Sequence, residues 1–216
     1  MRALRLAGAN GKAGEHRRQG DVPKLIEMLQ SDLPEDRMEA AAALGRLQSP
    51  ASTHDVLVHT ARHDALPSVR REAVRALGAT MESDKESLCE VLTSCLDDDD
   101  RNVRLYAAHS LGRLRCLDAV SSLASQLDDQ DTLTQRYATE ALANLGHRSA
   151  IPALGRAVMK PDRSVFNYGV RGLAAVVDDR DLDSLGTLAS AVGLMRRRKL
   201  RRLEGLVRSE ERLDPR

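Results

Sequence analysis

A leucine recurs near the end of one short pattern along the whole chain, at Leu44, Leu77, Leu111, Leu142 and Leu173, with spacings of 33, 34, 31 and 31 residues. A unit of that length is too small to bury its own apolar face, so units that repeat at such a spacing must stack into a continuous array. The pattern extends backwards from each leucine. Four residues before it stand Ala40, Ala73, Ala107, Ala138 and Gly169, and one residue before it Ala43, Ala76, Ser110, Ala141 and Gly172. Eight residues before it are Asp36, Val69, Val103, Thr134 and Val165. On a helix these positions share an arc of about 100°, the width of a buried stripe. Small residues within the stripe let neighbouring helices pack closely.

An earlier helix precedes each of these. Its clearest copies are DVPKLIEML (21–29), DAVSSLASQL (118–127), AIPALGRAV (150–158) and LDSLGTLASAV (182–192). Pro23 and Pro152 fall near the first turn, where a missing N–H costs nothing. Turn-forming residues such as Pro67–Ser68, Asp97 to Asp100 and Pro161–Asp162 separate the two helices. Each unit is therefore helix, turn, helix, and about six such hairpins fill residues 20–208 of the 216-residue chain. Residues 1–19 form a basic, glycine-containing tail and 209–216 a C-terminal tail. Strand-forming residues are scarce and hydrophobic residues are 42% of the chain, with one Phe, three Tyr and no Trp, so the expectation is an all-α fold with a thin core.

The segments SVRREAVRALG (68–78) and NVRLYAAHSLG (102–112), and more loosely DRMEAAAALG (36–45), resemble HEAT-like repeats of the short type found in phycobilin lyases and in many bacterial and archaeal proteins. The resemblance covers about residues 20 to 207 and implies a right-handed α-α superhelix whose second helices line the concave surface. It does not imply one activity, since such a repeat serves many functions. Arg37, Arg70 and Arg104 share one register and are expected to hold turn carboxylates, whereas Gln135 and Phe166 depart from the pattern there.

Positions six, five and two residues before the anchor leucine lie away from the stripe. Down the array they read Met38, Glu39, Ala42; Arg71, Glu72, Arg75; Leu105, Tyr106, His109; Arg136, Tyr137, Glu140; Asn167, Tyr168, Arg171; and Arg197, Arg198, Arg201. Tyr106, Tyr137 and Tyr168 are thus expected to form a ladder, one ring per repeat, on a basic wall. The candidate partner-binding residues are these tyrosines with His109, Arg136, Arg171, Arg71, Arg75 and Arg113. The other reading is that each ring only packs over the seam to its neighbour. In the sixth unit Lys199 and Arg202 fall at positions that are small elsewhere, so burial by a seventh unit would strand charges at a cost of several kcal/mol. That unit is expected to be a polar cap, with Arg197, Arg198 and Arg201 as a secondary polyanion-binding set.

The expected function is a non-catalytic binding or scaffold protein that holds a protein or peptide of acidic character on the concave Tyr/Arg-lined face. Nucleic-acid binding is the alternative, through the basic groove and the C-terminal arginines, and the resemblance adds a bilin-lyase reading. The net charge is only +1, which by itself demands neither nucleic acid nor membrane, and no apolar run approaches the roughly 18 residues needed to span a bilayer. Cys89, Cys95 and Cys116 show no CxxC spacing and are expected to be free core thiols, consistent with a cytoplasmic, reducing setting. No cofactor or metal is expected. His59 and His63 stand four apart without an evident third ligand, no HE dipeptide of the HEAT-repeat hydroxylases occurs, and the Trp used by HEAT-like DNA glycosylases is missing.

Overall fold

A computed structural model describes residues 20–47, 53–79 and 85–177 of the chain. Within them the recurring pattern becomes five helical hairpins, without a strand among the described residues. They fall into two compact units that divide after Leu114. The first unit contains α1 (Val22–Leu29), α2 (Pro34–Leu47), α3 (His54–His63), α4 (Pro67–Ala79), α5 (Lys85–Ser94) and α6 (Arg101–Leu114). The second contains α7 (Val120–Ser125), α8 (Thr132–Leu145), α9 (Ile151–Ala157) and α10 (Arg163–Val176). Single 3₁₀ turns at Cys95–Asp97, Leu117–Ala119, Gln126–Asp128 and Arg148–Ala150 flank the shorter helices. The sixth hairpin expected from the sequence, with Arg197, Arg198 and Arg201, lies outside the described residues.

In each hairpin the first helix packs against the second, and the second helices lie side by side, α2 with α4 and α4 with α6 in the first unit, α8 with α10 in the second. All five anchor leucines have no exposed surface, and Leu25, Leu57, Leu92, Leu123 and Leu154 of the first helices are equally buried. The small positions explain how the second helices come so close. A methyl group added to Gly45 would lie 2.8 Å from the Ala76 Cα, and one on Gly78 would lie 2.6 Å from the Ser110 Cβ. In the second unit the small partner changes sides: a methyl on Gly172 would lie 2.8 Å from the Ala143 Cβ. Each crossing thus pairs the residue after one anchor leucine with the residue before the next, and it has room for one Cβ.

The hairpin turn is also built alike in successive repeats. Ser31 Oγ accepts the Leu33 N–H at 3.2 Å, Asp64 Oδ1 that of Leu66 at 3.0 Å, Asp98 Oδ1 that of Asp100 at 2.8 Å and Asp129 Oδ1 that of Asp131 at 2.7 Å. Each is a side-chain turn that spares the chain an unsatisfied donor. The residue six positions later closes the turn from the helix: Arg37 donates to the Ser31 carbonyl at 3.0 Å, Arg70 to Asp64 at 2.9 Å, Arg104 to Asp98 at 2.8 Å and Gln135 to Asp129 at 2.7 Å.

Arg37 and Arg70 then reach into the following repeat, as expected of them. Arg37 grips the Asp64 carboxylate with bonds of 2.7 and 3.1 Å, and Arg70 grips Asp98 with bonds of 2.8 and 2.7 Å. By the register of these two ties, the acceptor for residue 135 would fall at Lys160, where an arginine would meet a like charge. Gln135 keeps the carbonyl bond and avoids that clash, while Lys160 donates to Asp128 at 2.9 Å beside Arg156, which is paired with the same carboxylate.

Burial by itself would raise both aspartates. For Asp64 the Arg37 hydrogen bond, the Leu66 N–H and the Arg37 and Arg70 charges outweigh it, and for Asp98 the Arg70 hydrogen bond, the Asp100 N–H and the Arg70 and Arg104 charges do the same. Both carboxyls therefore settle below their usual range. A group with a lowered folded pKa adds stability above its unfolded value, about 3.9 for Asp, and loses it as pH falls through the folded value. Urea unfolding followed by circular dichroism is expected to show these ties at full strength at pH 7 and a loss of stability that sets in near pH 4 and grows towards lower pH. The acid loss should be smaller in Arg70→Gln, and an equal loss in that variant would refute the assignment.

Two features of the fold depart from expectation. Leu105, placed by the helical wheel on the outer face, is buried. Cys95 is the free, buried thiol expected, pushed up to about 11 by burial and by the neighbouring Asp98 charge, but Cys89 and Cys116 are disulfide-bonded. The position of a cysteine on an apolar helix face does not reveal whether it has a partner within reach, and these two no longer argue for a reducing compartment.

Candidate functional site

The register that buries Leu44, Leu77 and Leu111 turns the residues five and two positions earlier outwards on the same side of α2, α4 and α6. There the first unit carries two shallow clefts that share Arg46 and Arg75. One, of about 330 Å³, is lined by Met38, Glu39, Ala42, Arg71 and Glu72, and the other, of about 200 Å³, by Tyr106, His109, Ser110 and Arg113. Tyr106 is half-buried, whereas His109 and Arg113 are exposed.

The charge of this wall differs from its composition. Glu72, largely covered, takes Arg71 Nη2 at 3.1 Å and Arg75 Nη2 at 2.6 Å. Two of the arginines expected to meet a partner are therefore already paired with the same carboxylate. Glu39 lines the same cleft, and burial, with the Asp36 charge adding to it and Arg46 opposing, holds its carboxyl above the usual value. The first unit thus offers mixed charge at the α2–α4 end and Tyr106, His109 and Arg113 at the α6 end.

In the second unit Tyr137 and Tyr168 occupy the same register of the adjacent helices α8 and α10, both half-buried, on the wall away from the anchor leucines. Each ring carries a guanidinium. Arg136 Cζ lies 4.9 Å from the Tyr137 centroid and Arg171 Cζ 4.8 Å from the Tyr168 centroid. Such contacts contribute about 0.5–1 kcal/mol at exposed sites and hold the cation at the surface with its remaining donors available. Arg171 uses one of them on Asn144 Oδ1, at 3.2 Å. Tyr106 holds the matching register in the first unit.

Arg46 and Asn144 were missed in the sequence. Both stand two residues after an anchor leucine, as Arg113 does, and on a helical wheel that position neighbours the one two residues before it. The signal was present in the periodicity but lies on the far side of the anchor. Among the described residues no group of three or more His, Cys, Asp or Glu side chains is placed to enclose a metal ion, and no helix is long and apolar enough to cross a membrane.

Comparison with known proteins agrees with this architecture. The sequence pattern of HEAT repeats matches residues 22–112 and 54–131, and that of the PBS lyase HEAT-like repeat matches 134–158. Together the first two matches run from 22 to 131, more than half of the chain. No curated protein matches it. Among solved structures, an engineered protein is similar at 25% identity over 88% of this chain and 97% of its own, with a TM-score of 0.60. The complex of CpcE and CpcF of phycocyanin lyase from Nostoc sp. PCC7120 is similar at 24% identity, 82% and 73% coverage and a TM-score of 0.63. A designed armadillo repeat protein in complex with the peptide (KR)4 is similar at 21% identity, 78% and 88% coverage and a TM-score of 0.58.

Proposed function

The chain belongs to the HEAT-repeat family, and from that premise we propose that it is a non-catalytic binding or scaffold protein that holds a partner protein or peptide on the Tyr/Arg-lined face of its second helices, the face expected to be concave. Stacked repeats of this kind present an extended surface well suited to protein binding. The observation that carries the reading is the pair of tyrosines at one register of α8 and α10, each with an arginine laid over it. Tyr and Arg are among the side chains enriched as anchors of protein interfaces: Tyr buries a large area with few rotors, and Arg brings a planar head with several donors. A structural neighbour of this fold, a designed armadillo repeat protein, is itself in complex with the peptide (KR)4. For an acidic segment the anchoring cations in this proposal are Arg113, Arg136 and Arg171, since Glu72 takes up Arg71 and Arg75.

That pairing also ranks the alternatives. A nucleic acid would need several uncommitted cations along one track, and the Glu72 tie and the Glu39 carboxyl lower the positive potential of the first-unit wall. The bilin-lyase reading draws on likeness of the repeat, and retention of a bilin on mixing would favour it.

The test is a pull-down with the wild-type chain and a Tyr106/Tyr137/Tyr168 triple alanine variant, both checked for equal helix content. A partner retained by the wild type and lost by the variant is the expected result. A partner list unchanged by the three substitutions would return the rings to packing over the seam, and an oligonucleotide retained at low salt and released at high salt would instead support the polyanion alternative.

A further inference from the structure

We propose that His59 and His63 form a two-imidazole site for a divalent late-transition-metal ion on the first-helix side of the first unit, separate from the partner-binding wall. The two residues stand four apart on α3 and so project from one face, one turn after the other. Their ring centroids are 5.0 Å apart with planes inclined by 57°. Metal–nitrogen bonds of about 2.0–2.1 Å place an imidazole centroid about 3.2 Å from the ion, and ligand angles of roughly 90–110° then put two centroids ~4.5–5.2 Å apart. The observed spacing falls inside that interval, so the two rings are as far apart as two ligands of one ion.

A contact between two rings takes a similar spacing without any metal, and three further observations favour ligation. Both rings are exposed. Among the described residues neither makes a hydrogen bond through its nitrogens, so ligation displaces no existing partner. The rings also border a cleft of about 580 Å³ whose lining includes the carboxylates of Asp55 and Asp64. The guanidinium in that cleft, Arg37, is gripped by Asp64 through two bonds, which offsets the charge that would otherwise repel a cation.

The chemistry of the pair selects the ion. Imidazole nitrogen suits Ni²⁺, Cu²⁺ and Zn²⁺, whereas Mg²⁺ and Ca²⁺ seek oxygen ligands. Asp55 is one turn before His59 but does not complete a three-ligand cluster. The ion would therefore be held by two protein nitrogens, with its other positions open to water or to a side chain brought by another molecule.

The experiment is calorimetric titration of the full chain with Ni²⁺ alone, alongside His59→Ala, His63→Ala and the control His147→Ala. Because the second ring binds an ion already tethered by the first, loss of either ring is expected to weaken binding at least about tenfold, while the control stays as wild type. Copper EPR supplies a second readout, with two equatorial nitrogens expected in the wild type and one fewer in each variant. An Ni²⁺ affinity unchanged by both His59→Ala and His63→Ala would overturn the proposal. So would Mg²⁺ binding as tight as Ni²⁺, which would assign the site to the carboxylates. Both histidines are exposed, so equal circular dichroism spectra are expected and keep any loss of binding attributable to the lost ligand.

Discussion

Arg70→Ala is expected to destabilise the first unit by about 2–4 kcal/mol, measured as a fall in the urea midpoint at pH 7 with an unchanged slope. The side chain joins three pieces of chain at once. It donates to the Asp64 carbonyl of its own turn and grips both oxygens of Asp98 in the following repeat. The two side chains retain only 13% and 12% of their exposure, so removal of the guanidinium strands a largely covered carboxylate. That penalty is what separates this pair from an ordinary surface ion pair of about 0–1 kcal/mol. Arg70→Gln divides the two roles, because Gln135 shows that an amide at this register makes the carbonyl bond alone. Its expected cost is about half that of alanine, and a double-mutant cycle with Asp98→Asn should give a coupling of about 1–3 kcal/mol. Additivity within error would mean that the two side chains do not support each other.

How much of this was legible in the sequence follows from what a period can encode. Position along a helix recurs with the repeat, so the buried leucines, the small stripe and the outer register of Tyr137 and Tyr168 could be read from spacing alone. The arginine ties could be read as well, because Arg37 and Arg70 recur in step with acids in the next turn. Pairing inside one wall could not. Glu72 takes both Arg71 and Arg75 through side-chain rotamers that a helical wheel does not contain, and a count of basic residues therefore overstated the charge available to a partner. Leu105 shows another limit: a wheel drawn from the stripe places it well away from the anchor leucine, yet it is buried, because the wheel of one helix does not contain what the rest of the fold lays over its other sides. The disulfide state of Cys89 and Cys116 depends on separations in space and left no trace in their spacing.

Gly78→Ala is expected to cost about 2 kcal/mol even though alanine is the better helix former by about 1 kcal/mol. The added methyl would lie 2.1 Å from Ser110 Oγ and 2.6 Å from Ser110 Cβ. Rotation of the hydroxyl relieves the first contact but not the second, since both Cβ atoms are fixed to helix backbones. α4 and α6 must therefore separate, and the leucines on both sides of the crossing lose packing. The second unit suggests the remedy. There Ala143 stands where Gly78 does in its own repeat, and Gly172 stands where Ser110 does, so the single Cβ is carried by the other helix. Gly78→Ala combined with Ser110→Gly should accordingly recover most of the lost stability, less the intrinsic cost of a glycine within α6. Thermal and urea unfolding of the two single variants and the double variant would measure this. If Ser110→Gly rescues nothing, room at the crossing is not what fixes the distance between second helices, and the register assigned to the whole wall would lose its physical basis.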